Sequence, residues 1–194
     1  LYLEPFGSFL GYAAGLPLLI QSQFQGVIPL HFAVLGPLVG AVIRPCGGWL
    51  ADKLGGAVVT FWNFIVMALA VVGVLYFLPS GGSGGSFAGF FACFMLLFLT
   101  TGIGNGSTFR MIPVIFLTER TREAAGKGKE AQEQAVREAN KEAAAVLGFT
   151  SAFAAYGGFF IPKSYGTSIS MTGGPEAALY VFIVFYISCI LMTW

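Results

Sequence analysis

Charge is scarce in this chain, and that scarcity sets its class. Only 10% of the 194 residues are charged, against about 25% in ordinary soluble domains. Ten Lys and Arg against nine Asp and Glu leave a net charge of +1. No basic surplus is available to follow a phosphate backbone, so a nucleic-acid partner is not expected. There is one histidine, His31, and it stands without a nucleophile partner. The three cysteines, Cys46, Cys93 and Cys189, sit far apart in apolar runs, which offers neither metal-ligand spacing nor a disulfide framework. HExxH, Walker and CxxC patterns are missing. Catalysis, a cofactor and a metal site are therefore not expected. What is present is apolar: 56% hydrophobic and 15% aromatic residues, with a mean hydropathy of +0.79. That composition predicts an all-α integral membrane protein, whose partner is the lipid bilayer.

Six spans can be drawn, each near the ~20 residues that a bilayer requires. They cover about 1–24, 29–50, 58–78, 87–117, 144–162 and 177–194. The organisation is thus four spans in 1–117, a charged linker over 118–143 and two further spans in 144–194. The chain opens inside an apolar run at Leu1, Tyr2 and Leu3 and closes inside another at Trp194, so it reads as a piece of a longer protein. Between spans three and four, Ser80 to Gly85 form an uncharged, flexible loop. The linker carries Arg120, Arg122, Lys127, Lys129, Arg137 and Lys141 among six glutamates. Lys53 lies on the same side of the membrane, and only Lys163 lies on the other. The excess of positive charge marks the linker side as cytoplasmic. Good helix formers, with Glu123/Lys127 and Glu133/Arg137 at i,i+4, predict a solvated helix there, broken at Gly126 and Gly128.

Against this background Arg44 stands out. It lies within Gly36 to Gly56, deep in an apolar run. A guanidinium in hydrocarbon costs about 3 kcal/mol on insertion scales. It does not shed its proton to escape that cost. A polar cavity and an anionic partner are the natural resolution; snorkelling to the nearer interface is the plainer alternative. Arg110 is a second such charge, within reach of the cytoplasmic surface. Asp52 and Lys53 follow in a Gly-rich turn, where a carboxylate can pair across a helix end and hold one state of a gate. Glu4, between Tyr2 and Phe6, is costly unless paired, protonated or near the end of its span. It can pair with a cation such as Arg44 or carry a coupling proton. Two small-residue patterns, Gly104-Asn105-Gly106-Ser107 and Gly148 through Ser151 to Gly157-Gly158, allow close helix approach, and tight packing alone explains such stripes.

These residues resemble the C-terminal half of a nitrate/nitrite porter of the major facilitator superfamily, along essentially the whole chain. Gly47-Gly48-Trp49-Leu50-Ala51-Asp52-Lys53-Leu54-Gly55-Gly56 resembles the superfamily's cytoplasmic loop motif. Ala145 to Ala152 with Gly157 to Pro162 is similar to the family's second nitrate-signature helix. The resemblance implies one six-helix half of a twelve-helix fold, with the N-terminal six-helix half as its missing partner. It implies that Arg44 binds the anion, that Tyr2 and Phe6 wall the site, and that Ser151, Gly148 and the signature glycines border the pathway. It implies nitrate and nitrite as substrates, alternating access, and a bacterial cytoplasmic (inner) membrane. Two departures stand out: Glu4-Pro5 replaces small or neutral residues, and Arg110 an uncharged polar one. Exchange of nitrate for nitrite is the leading expectation. Nitrate/proton symport through Glu4, an anion channel and a non-transporting scaffold remain as alternatives.

Overall fold

The computed structural model describes residues 2–24, 26–28, 32–79 and 85–194. His31 and most of the loop at 80–85 therefore lie outside the described residues, as does the start of the second span drawn above. Seven helical segments are set out in order among the described residues. They are α1 (Leu3–Gln23), α2 (Leu35–Leu54), α3 (Gly56–Phe77), α4 (Phe87–Glu123), α5 (Lys129–Ala155), α6 (Gly157–Thr172) and α7 (Glu176–Thr193). Among the described residues, five helices are long and apolar enough to cross a membrane, with Lys129–Thr172 counted as one of 44 residues. With α2, which is not in that set, the described residues hold six long helices. The charges of α2 (Arg44, Asp52 and Lys53) fall on the one helix outside that apolar set.

Local chemistry explains several boundaries. Gly55, at φ 89°, makes the turn between α2 and α3 in a single residue, a conformation that side chains with a Cβ resist. The Ser86 hydroxyl caps α4 by accepting from the Gly89 amide at 3.3 Å. Gly126 and Gly128 take positive φ and separate α4 from α5. The fifth span was drawn to end at Pro162, but the helix continues to Thr172. Proline removes one backbone donor, and Gly158, four residues earlier, has no side chain to add to the crowding. Neighbouring helices absorb such interruptions in membrane spans.

The core lies between α1, α3, α4, α6 and α7. Tyr12, Leu16, Phe64, Met67, Tyr165 and Leu179 are fully buried in it. Phe90, Phe94 and Phe98 form a ladder along α4, four residues apart, with successive ring centroids at 5.2 and 6.2 Å. Helix α4 packs along both α2 and α3, and α1 packs along α6. The α1–α6 contact is made by backbone: a Cβ at Gly157 would run into the Gly7 carbonyl. Small residues let helix backbones meet in this way where no hydrophobic effect drives association.

In the linker, Glu133 and Arg137 approach at 4.0 Å. The predicted Glu123/Lys127 pair is corrected. Helix α4 ends at Glu123, so Lys127 lies beyond the helix, and Glu123 instead lies 3.1 Å from Arg120. Arg120 also binds Glu142 with two donors, tying the end of α4 to α5; Nε donates to Oε2 at 3.0 Å.

Candidate functional site

Arg44 leaves the middle of α2 toward α1. Its Cζ lies 4.5 Å from the centroid of the Phe9 ring and 5.8 Å from that of Phe6. Phe6 stacks on Tyr2 with 5.9 Å between centroids and 15° between planes. The Tyr2 hydroxyl accepts from Ser151 Oγ, on α5, at 3.3 Å. One chain of contacts thus runs from Arg44 through Phe6 and Tyr2 to Ser151. Behind Arg44, a Cβ at Gly106 would collide with the Arg44 carbonyl. A glycine there lets α4 support the α2 backbone at the point where the guanidinium departs.

The guanidinium is incompletely satisfied. Its Nε is buried and has no hydrogen-bond partner. No carboxylate pairs with Arg44 among the described residues. The ring faces of Phe6 and Phe9 contribute about 0.5–2 kcal/mol of cation–π attraction, but they accept no hydrogen bond in the plane of the fork. What this arrangement lacks is an acceptor of opposite charge. A flat anion with two oxygens on one edge matches two parallel N–H donors.

The other candidate residues fall into separate groups. Gly148 is exposed and has no neighbouring atom where a side chain would begin. Gly157 joins α6 to α1, whereas Gly158 stands in ordinary contact with Leu10. Gly104 faces Asn63 and Pro5. Asn105 is buried with its Nδ2 unpartnered. Ser107 donates to the Gly56 carbonyl at 3.3 Å, next to Thr60. Asp52 and Lys53 lie in the last turn of α2 rather than in the turn itself. Asp52 accepts from Arg110 Nε at 3.1 Å, and Lys53 Nζ lies 4.1 Å from the Trp49 ring centroid. Glu4 does not reach Arg44; its Oε1 accepts from Ser8 Oγ at 2.9 Å.

Sequence reasoning missed Phe9, whose ring lies nearer to Arg44 than that of Phe6. Its spacing was the available signal. Phe9 follows Phe6 by three residues, so both stand on one helix face. It also left Arg110 without a partner, which Asp52 supplies from 58 positions away.

Fold and site together define a six-helix membrane bundle, half of a twelve-helix major facilitator fold, built around one half-buried arginine. No family model matches the chain. It is 50% identical over its full 194 residues to the nitrate/nitrite transporter NarU of Escherichia coli (strain K12). It is 49% identical, again over 194 residues, to the nitrate/nitrite transporter NarU of Salmonella typhimurium. Over a 199-residue alignment it is 36% identical to the probable nitrate/nitrite antiporter NarK2 of Thermus thermophilus. The whole chain aligns in each case but spans only 42%, 42% and 40% of these relatives' length. Along its whole length the chain is thus similar to nitrate/nitrite transporters, of which it spans about two fifths.

Proposed function

We propose that the chain is the C-terminal half of an inner-membrane carrier that exchanges nitrate and nitrite, with Arg44 as its anion ligand. The observation that carries this reading is the guanidinium of Arg44, placed against two phenyl rings with a buried donor unpartnered. Nitrate and nitrite are flat, delocalised monoanions, and neither needs a general base at neutral pH. Phe6, Phe9 and Tyr2 fix the plane of the ion and exclude bulkier anions. Ser151 holds Tyr2 in place from α5. Gly148, exposed on that helix, leaves its surface free to meet the opposite half. The two halves rock around the midplane site, which gives alternating access. The Asp52–Arg110 pair ties the linker-side end of α2 to α4 and serves as part of the gate, with Lys53 beside it. The linker, 118–143, lies in the cytoplasm because Lys and Arg concentrate on its side of the membrane.

Exchange follows from electrostatics. An empty site leaves a cation in a low-dielectric interior without a counter-ion, which disfavours the return of an unloaded carrier. The test uses the complete protein, with both halves, in sealed liposomes. Nitrate uptake that requires nitrite inside is the expected result. Uptake into empty vesicles at the same rate overturns exchange, and flux that never saturates identifies a channel. A scaffold would show no flux, and Arg44→Ala would leave it unaltered.

A further inference from the structure

On the far side of α1 from Arg44 lies a second polar site. Tyr2, Phe6 and Phe9 share one helical face, whereas Glu4 and Ser8 lie on the far side, with Tyr12 between the two. Glu4 is 4% exposed. It borders a cavity of about 820 Å³ between α1, α5–α6 and α7, whose walls are otherwise mainly apolar and include Phe153, Ile161 and Phe182. Its two oxygens differ. Oε1 accepts from Ser8 Oγ at 2.9 Å, while Oε2 is buried with no partner.

The hydroxyls order themselves. Ser8 has one proton and gives it to Glu4, so the Tyr186 hydroxyl, 3.0 Å from Ser8 Oγ, donates to Ser8. Tyr12 is hydrogen-bonded to Tyr186 and in turn donates to it. The three hydroxyls thus form one relay whose last donor, Ser8, ends at Oε1. Other titratable groups on α6 and α7 are Lys163 and Tyr165 on α6 and Glu176, Tyr180, Tyr186 and Cys189 on α7, with Tyr156 at the α5–α6 junction. Arg44 on α2 is turned to the opposite face, and no cation pairs with Glu4 among the described residues. A buried carboxylate with one hydrogen bond and no counter-charge is far costlier than the neutral acid.

We propose that Glu4 is a proton-binding site. Its Oε2 takes a proton from a hydronium ion that reaches Glu4 by way of the cavity: one hydronium O–H bond breaks as the carboxyl O–H bond forms, water is left behind, and the reverse step returns the proton. The proton's role in transport rests on the anion reading of Arg44. Glu4 and Phe6 ride on one helix, so charging Glu4 penalises any movement of α1 that keeps the carboxyl buried.

The test is infrared spectroscopy on the complete transporter with ¹³C-labelled glutamate. A protonated-carboxyl carbonyl band at neutral pH that shifts with the label, disappears on raising the pH and is missing in Glu4→Gln is the expected result. Wild-type protein lacking that band, a measurement that needs no variant, overturns the site. In liposomes, Glu4→Gln should abolish the pH dependence of nitrate flux; a pH dependence identical to wild type overturns the proton's role. Wild-type protein that shows the band yet moves no nitrate counts against the anion reading alone.

Discussion

Arg44 and Arg110 lie on helices that pack against each other, α2 and α4, yet the two regions hold their charges in opposite ways. Near the linker, Arg110 is paired with Asp52 at 3.1 Å, and the two side chains are 61% and 49% exposed. Arg120 pairs with Glu123 and Glu142 in the same polar zone. In the middle of the bundle, Arg44 has rings instead of acids and an unpartnered donor. Water solvates the first set and makes its ion pairs weak. The second is half-buried with no carboxylate partner among the described residues, so it is poised to gain most from a ligand that brings a negative charge. An arginine's neighbours, more than its presence in an apolar run, separate a binding group from a helix-end strut.

The largest effect that would sharpen this contrast is at Arg44. A charge-assisted hydrogen bond is worth about 1.5–3 kcal/mol. Replacing Arg44 by Gln in the complete protein should therefore lower nitrate uptake by roughly a hundredfold, the equivalent of ~3 kcal/mol. Lys, which keeps the charge without the fork, should recover only part of it. Next comes the helix contact beneath the site. Gly157→Ala forces a methyl into the Gly7 backbone and should cost about 1–3 kcal/mol. Thermal melting in detergent reads that loss, while Gly158→Ala, whose methyl makes only ordinary contact with Leu10, should melt like wild type. If Gly158→Ala destabilises as much, the packing account of these helices fails.

Smaller effects belong to the polar end. Asp52→Asn should change stability by less than about 1 kcal/mol, with the difference fading at high salt. A loss as large as that at Gly157 would place this pair on the same footing as the buried contacts and erase the contrast. The Arg120 hydrogen bonds hold the Glu142 carboxyl below its usual range. A carboxyl lowered in the folded state stabilises above its unfolded pKa, and that contribution is lost as pH falls through the folded value. Melting temperatures should thus decline as pH falls below about 4.5, and Glu142→Gln should remove that part of the decline.

Much of this contrast was legible in the sequence, because charge in an apolar run is a strong signal. Arg44, Tyr2, Phe6 and Ser151 were assembled from a family resemblance, and they form one contact chain in the structure. Partners distant along the chain were illegible. Nothing in the local pattern ties Asp52 to Arg110 or Ser8 to Tyr186, since helix packing alone brings them together. The Glu123/Lys127 pairing failed because i,i+4 reasoning assumes an unbroken helix, and the break at Gly126 follows immediately. Pro162 misled for a related reason: proline stops helices in water more reliably than in a membrane, where neighbours satisfy the freed carbonyl.

The most direct test of the central claim is nitrate binding by isothermal calorimetry. It compares the complete transporter with its Arg44→Gln variant, each first shown to be folded by its melting curve. The account predicts saturable binding to the wild type and none measurable in the variant. Equal affinity in both would show that the anion is held elsewhere and that Arg44 is structural.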